Sequence, residues 1–104
     1  MKAVVLLVGK LPGIVGRMEA ALGDMRVEWL GARDRAEVAR QLDAEPNIRC
    51  VVIGGTPSDE LRGELIGVIA SRRPDLTIHI KDRASGPEGM PGFVRKVVEA
   101  VVPH

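Results

Sequence analysis

Aromatic side chains are almost missing from this sequence. Its 104 residues include one Trp, one Phe and no Tyr. Proteins that bind single-stranded nucleic acids stack the bases on aromatic rings, so this shortage argues against that class. Because Trp29 is predicted to lie on an outer strand and no Tyr is available, a flavin site is also disfavoured, and we expect no cofactor.

The sequence also lacks an excess of charge of either sign. It has 15 basic and 14 acidic residues, with a formal net charge of +1. Its arginines are scattered from Arg17 to Arg95, which is typical of solvated faces. The charge distribution therefore predicts no binding to nucleic acid or to an anionic membrane surface.

Cysteines and long hydrophobic segments are scarce. Cys50 is the single cysteine, so it cannot form an internal disulfide, and its apolar neighbours favour a buried, inert thiol. The apolar run over Ala3–Val8 is too short for a signal peptide or a membrane span. These features favour a cytoplasmic protein. No spacing of Cys, His or acidic residues suits a metal site.

The sequence does have the composition of one folded domain. Hydrophobic residues make up 45% and charged residues 28%, and the length predicts a single domain over residues 1–104. Strand-like and helix-like runs alternate four times along the chain. The predicted strands cover residues 3–8, 26–30, 49–53 and 76–81, and the predicted helices cover residues 12–22, 34–45, 57–72 and 92–102.

Capping residues mark the predicted starts of two helices. Asp34 is predicted to cap the second helix, with Glu37 completing a capping box. For the third helix, the sequence predicts Thr56 as the N-cap and Pro57 as the first helical residue. These signals set the predicted boundary between each loop and the helix that follows it.

The strand patterns predict the order of the strands in the sheet. The first and third strands are continuously apolar, as expected for central strands covered by helices on both faces. The second and fourth alternate polar and apolar residues, which is typical of edges. Right-handed crossovers then favour an α/β fold with a four-stranded parallel sheet of order 2-1-3-4 and helices on both faces, a flavodoxin-like three-layer sandwich.

In such a sheet a ligand crevice is expected above the carboxyl ends of strands one and three, lined by residues 9–13 and 54–58. Residues 9–16 match neither common glycine-rich phosphate motif, and Pro12 removes one amide, so a plain turn is the alternative there. The alternative for residues 54–59 is a self-capped helix start. The loop over residues 82–91 is longer than usual and either carries function or is merely mobile. The candidate ligand-binding residues are Lys10, Gly54, Gly55, Thr56, Ser58, Lys81, Asp82 and Arg83.

No catalytic signature stands out. Thr56 and Ser58 have no His or Lys base beside them in the sequence, so neither is predicted to be a nucleophile. His79 lies in mid-strand, which favours an exposed or interface position over a catalytic one.

Two helices carry more small or apolar surface than one sheet face needs. The third helix has a second stripe formed by Gly63, Ile66, Gly67 and Ala70. The last helix has a wide valine stripe that includes Val98 and Val102. A homodimer would cover these surfaces, and the alternative is that neighbouring helices of the domain fill them. Trp29 is a further candidate anchor, or a core residue.

In its alternation of strands and helices the chain resembles a response-regulator receiver domain shortened by one strand-helix unit. Receivers carry acidic residues after strand one and a phosphate-accepting Asp after strand three. Here those places hold Val8-Gly9-Lys10 and Gly54-Gly55, while Lys81 matches the receiver lysine. The chain also resembles the IIB subunit of the lactose and cellobiose type of sugar phosphotransferase system. That family carries its phosphate on a Cys just after strand one, where this chain has Gly9.

These resemblances, without the residues of phosphotransfer, imply a non-catalytic regulatory or protein-association domain. We expect a homodimer, with a further protein partner as an option. The alternative hypothesis is a domain that binds a small ligand or phosphometabolite in a crevice at the carboxyl ends of strands one, three and four.

Overall fold

Four parallel strands alternate with four helices along the chain. A computed structural model describes residues 2–10 and 12–102; Met1, Leu11, Pro103 and His104 lie outside the described residues. A short 3-10 turn over Pro87–Gly89 precedes the last helix. The elements in chain order are β1 (Ala3–Val8), α1 (Ile14–Ala21), β2 (Val27–Ala32), α2 (Arg35–Ala44), β3 (Ile48–Ile53), α3 (Asp59–Arg72), β4 (Thr77–Ile80) and α4 (Met90–Val101).

The sheet has the order β2-β1-β3-β4 with every pair parallel, which confirms the predicted order. β1 and β3 are buried almost throughout, as strands covered on both faces must be. The outer strands β2 and β4 leave one or more residues exposed, so the alternating patterns identified the edges correctly. The Rossmann-like α/β fold follows from this arrangement.

Two apolar clusters fill the space on the two sides of the sheet. One lies under α1 and α4 and contains Trp29, which is therefore a core residue. The other lies under α2 and α3. Val98 and Val102 are only 1% and 8% exposed in the first cluster, so the prediction that they form a surface for a partner is wrong. The interior of the domain itself fills the valine stripe.

Cys50 points into the cluster under α1 and α4 and is fully buried. Its burial raises the pKa of the thiol to about 11, because the thiolate would lose its hydration. The inert thiol predicted from its apolar neighbours is consistent with this environment.

Three helix starts differ from the predictions, and the first of them is α1, which begins at Ile14 and not at residue 12. Ser58, not Thr56, caps α3, because its hydroxyl oxygen accepts a hydrogen bond from the Leu61 amide at 3.2 Å. The Thr56 hydroxyl is instead used across the sheet edge, where it accepts a hydrogen bond from the Lys10 amide at 2.9 Å. α4 begins at Met90 and not at residue 92, since the 3-10 turn leads directly into it.

Asp34 caps α2 as predicted, accepting a hydrogen bond from the Glu37 amide at 2.9 Å. The reciprocal half of the capping box is shifted by one residue. The Glu37 carboxylate accepts from the Arg33 amide, at 2.9 Å, and not from the amide of the cap itself. Across residues 2–10 and 12–102, no helix combines the length and the apolar character needed to cross a bilayer.

Candidate functional site

A crevice of about 240 Å³ opens at the carboxyl ends of β1, β3 and β4. It lies where the chain reverses its direction of winding, between β1 and β3, which is the usual ligand position in open parallel sheets. The apolar part of the lining consists of Val8, Ile14, Pro87 and Met90. The polar and glycine part consists of Gly9, Arg17, Gly54, Gly55, Thr56, Lys81, Asp82, Arg83 and Gly86.

Six of the eight predicted ligand-binding residues line this crevice: Gly54, Gly55, Thr56, Lys81, Asp82 and Arg83. Lys10 and Ser58 lie beside it without lining it. The Lys10 amide donates to Thr56, and Ser58 caps α3. These contacts place the two residues in the framework of the loops.

Sequence reasoning missed the contribution of two helix starts. Ile14 and Arg17 come from the first turn of α1, and Met90 begins α4. The three-residue spacing of Ile14 and Arg17 puts both side chains on one face of a helix that starts at the sheet edge. That spacing is the signal that could have identified them.

Lys81 is the buried charge of the site, with only 3% of its surface exposed. Its ammonium donates hydrogen bonds to the Asp82 carbonyl at 2.8 Å, to Asp82 Oδ1 at 3.3 Å and to the Ser85 hydroxyl. An ammonium has three N–H groups, so all of them are used within residues 82–85. Lys81 therefore organises its own loop and has no N–H group left for a ligand.

The Asp82 carboxylate is held in turn by Ser85. It accepts hydrogen bonds from the Ser85 amide at 2.9 Å and from the Ser85 hydroxyl at 3.0 Å. These two bonds, followed by the contact with Lys81, hold the pKa of Asp82 below its usual range. Because Lys81 is a donor in this cluster, it is not placed to take a proton from Ser85.

Arg83 joins the loop after β4 to the loop after β3. Its guanidinium donates to the Gly55 carbonyl at 3.0 Å, to Asp59 Oδ1 at 2.7 Å and to the Pro57 carbonyl at 2.8 Å. The hydrogen bond from Arg83 is the main reason that the pKa of Asp59 is lowered. The long loop over residues 82–91 is thus tied down at its first residues.

Arg62 ties the same two loops together from α3. Its Nη2 atom donates to the Gly54 carbonyl at 2.8 Å and to the Lys81 carbonyl at 2.7 Å. Among the residues that the structure describes, its buried Nε atom has no hydrogen-bond partner. We call residues 54–62 and 81–86 the paired wall of the crevice, because their charged side chains that face it are joined to one another or to backbone carbonyls.

The opposite side of the crevice is formed by residues 9, 10 and 12–17, which we call the open wall. Gly13 adopts a left-handed conformation (φ 74°) as the N-cap of α1, and no side chain caps the helix. The first turn of α1 contains no acidic residue. Arg17 is exposed, and its guanidinium makes no hydrogen bond or ion pair with any residue in the described ranges.

Gly9 allows the two walls to approach each other. A Cβ atom at this position would stand 3.3 Å from the Thr56 hydroxyl oxygen, closer than ordinary side-chain contacts. The absence of a side chain therefore permits the hydrogen bond between the Lys10 amide and Thr56 across the sheet edge.

The other chemically interesting residues lie away from the crevice. His79 pairs in register with Val52 on the face covered by α1 and α4, and its Nε2 atom lies 2.9 Å from the Thr77 hydroxyl. Partial burial lowers the pKa of His79. In the part of the chain that the structure describes, no group of three or more His, Cys, Asp or Glu side chains is arranged to hold a metal ion.

The second stripe of α3 is open. Gly63, Gly67 and Ala70 are exposed and Ile66 is half-buried. No atom of the described residues lies within 4 Å of where a Cβ would stand at either glycine, so neighbouring helices do not fill the face at these two positions. The domain covers this stripe only in part, at Ile66, which packs against the cluster under α2 and α3.

Comparison with solved structures bears on the fold. A de novo designed Rossmann fold protein superposes with a TM-score of 0.63 and 13% sequence identity, over 95% of this chain and 99% of that chain. No family model and no curated protein matches this chain. The chain is thus a Rossmann-like α/β domain, and the comparisons give no support to membership of the receiver or IIB families.

Proposed function

We propose that this domain binds a small molecule in the crevice between the paired wall and the open wall. The observation that carries the proposal is the crevice itself, at the carboxyl ends of β1, β3 and β4 where the winding reverses. Ligand sites in open parallel sheets form at this position. The lining combines an apolar floor with a few polar groups, as small-molecule sites generally do.

The size of the crevice limits the ligand. Its volume of about 240 Å³ is smaller than the pockets of roughly 300–1,000 Å³ that enclose drug-sized molecules. A dinucleotide is therefore too large to be enclosed. A metabolite with a short apolar body fits the available space.

The proposed activity is binding and not chemical transformation. The Ser85 hydroxyl and the Lys81 ammonium are engaged in the same hydrogen-bonded cluster with Asp82. Nucleophilic catalysis needs a hydroxyl next to a base that takes its proton. The Ser85 hydroxyl donates to the Asp82 carboxylate, whose lowered pKa makes it a weak base, and the Lys81 ammonium is a donor. The cluster supports the shape of the loop.

Amide-resolved NMR of the isotope-labelled protein tests this proposal. A library of small neutral, anionic and cationic fragments is expected to shift the amide signals of Gly54, Gly55 and Met90 in a saturable way. Ile14→Trp should block these shifts by filling the crevice, whereas Ala20→Trp, at an exposed position of the same helix, should leave them unchanged. The proposal is wrong if no fragment shifts the crevice amides, or if Ile14→Trp has no effect.

A second candidate function, self-association of a receiver-like regulatory domain in the cytoplasm, is favoured by the outer strand β4. Residues 77–80 carry neither charge nor proline, although edge strands usually have such protection against pairing. Ile80 is 42% exposed, a large apolar side chain left at this edge. An isologous homodimer could form by pairing two β4 edges, and the open stripe of α3 is the other surface available.

Light scattering on three variants separates these surfaces. Ile80→Lys should convert a β4-paired dimer into a monomer, while Gly67→Glu should do so only if the α3 stripe is the interface. Gly92→Glu, in open space on α4, is the matched control and should leave the mass unchanged. A wild-type protein that remains monomeric at high micromolar concentration contradicts self-association by either surface.

A further inference from the structure

The three cationic side chains that line the crevice differ in how fully they are engaged. Lys81 uses all three of its N–H groups within residues 82–85. Arg83 holds Asp59 and two backbone carbonyls. Arg17 has no such contact with any described residue, so among the cations that line the crevice its guanidinium is the one available to a ligand.

The charges of the lining add up to one uncompensated positive charge. Lys81 is paired with Asp82 and Arg83 is paired with Asp59. Arg17 remains. A phosphate group carries close to two negative charges at neutral pH, which is more than the single uncompensated positive charge of the lining can neutralise. A carboxylate carries one charge and matches the planar fork of an arginine.

The rest of the lining favours an apolar body next to that charge. Val8 and Met90 are buried and Ile14 is half-buried, and these side chains form the apolar floor beside Arg17. Each methylene that leaves water for such a floor contributes favourably to binding. A ligand with one anionic end and a short aliphatic or aromatic part satisfies both halves of the crevice.

We infer that the crevice takes a small organic acid with one negative charge, whose carboxylate pairs with Arg17 while its apolar part lies on Val8, Ile14 and Met90. This inference rests on the proposed function and adds the chemical class of the ligand. Of the small ligands and phosphometabolites expected from the sequence, the inference selects a small carboxylate.

Titrations with matched probes test the inference. The probes are 4-methylpentanoate, its neutral amide 4-methylpentanamide, and inorganic phosphate, each followed by the amide signals of Gly54, Gly55 and Met90. The acid is expected to bind about tenfold more tightly than the amide, because a hydrogen bond to a charged partner is lost in the amide. Arg17→Gln should abolish this difference. Arg40→Gln, an exposed arginine of α2, should preserve it.

Each other outcome overturns the inference in a recognisable way. Equal binding of acid and amide, or a preference that survives Arg17→Gln, shows that charge at Arg17 does not select the ligand, while binding in the crevice stands. Phosphate that binds more tightly than the acid assigns a phosphate site instead. Crevice amides that respond to neutral fragments but to none of the three probes exclude a small acid and keep the proposed function. A crevice that responds to nothing ends both proposals.

Discussion

The two walls of the crevice lie at the same edge of the sheet, but their charged side chains differ in how many hydrogen bonds they make. In the paired wall, Arg62, Lys81 and Arg83 donate at least eight hydrogen bonds to carbonyl, carboxylate and hydroxyl oxygens of the same region. In the open wall, the first turn of α1 has neither a capping side chain nor an acidic residue, and the Arg17 guanidinium has no partner among residues 2–10 and 12–102. Charged side chains stabilise the loops in the paired wall, whereas in the open wall they remain available to a ligand.

This difference distinguishes two roles of cationic side chains, stabilising the fold and binding a ligand, which amino-acid composition alone cannot tell apart. A buried or bridging cation is part of the fold, because removing it leaves carbonyl groups without donors. An exposed cation without partners contributes little to folding and can interact with a ligand instead. Arginines of the two walls should therefore respond differently to substitution.

The largest effect is expected for Arg62→Met. It removes the two hydrogen bonds to the Gly54 and Lys81 carbonyls that join the loops after β3 and β4. The free energy of unfolding in urea should fall by about 3 kcal/mol, since hydrogen bonds to charged groups are worth more than neutral ones. Arg40→Met is the control and should change stability by less than about 0.5 kcal/mol. A small loss in Arg62→Met would show that the loops hold together without it.

Lys81→Met should have the second largest effect. The substitution keeps much of the buried volume but leaves the Asp82 carbonyl and the Ser85 hydroxyl without the ammonium. Because Asp82 and Ser85 are exposed and can be rehydrated, we expect a loss of about 2 kcal/mol. Lys96→Met, at an exposed position of α4, is the matched control. Faster amide exchange at Ser85 in Lys81→Met would localise the effect to the loop, and unchanged exchange would contradict it.

Acid should weaken the paired wall before it affects the open wall. The pKa of Asp82 is lowered by hydrogen bonds from Ser85, so its ionised form stabilises the fold at neutral pH. That contribution is complete above the unfolded-state pKa of about 3.9 and is lost as the pH falls below it. Asp82→Asn should be less stable than wild type at pH 7, with the two converging near pH 2. Glu60→Gln is the control. If the stability difference between Asp82→Asn and wild type does not shrink in acid, the ionised Asp82 carboxylate is not its source.

The smallest effect on stability is expected for Arg17→Gln. Its guanidinium has no partner among the described residues, so the free energy of unfolding should change by less than about 0.5 kcal/mol. The contrast with Arg62→Met is the sharpest check on the comparison of the walls. If Arg17→Gln lowers the free energy of unfolding nearly as much as Arg62→Met does, Arg17 stabilises the fold and is not a ligand contact.

Most of the fold could be predicted because the core pattern is strong along the chain. The uninterrupted apolar runs of β1 and β3 identify central strands, and the alternation in β2 and β4 identifies edges. The position of the crevice follows from that order. The N-cap of α3 was predicted at Thr56 and lies at Ser58, because both hydroxyls are local candidates and the contact that engages Thr56 comes from Lys10, a residue 46 positions away.

Pattern reasoning was less able to separate surface from core on the helices. The valine stripe of α4 and the small-residue stripe of α3 look equally available to a partner in the sequence. The structure buries Val98 and leaves Gly67 in open space. Helical periodicity shows which residues share a face, but how far a neighbouring helix extends over that face depends on packing.

The number and kind of the elements, the order of the strands and the edge of the sheet where a crevice can form all follow from the order of the amino acids. Hydrophobic periodicity and helix-start signals are local, and they carry this information. Which arginine and lysine side chains have hydrogen-bond partners depends instead on the folded arrangement of the loops. Arg62 and Arg83 meet carbonyls of loops distant in the chain, whereas Arg17 meets no described residue. The pairing of a charge depends on which loops the folded sheet brings within hydrogen-bond distance.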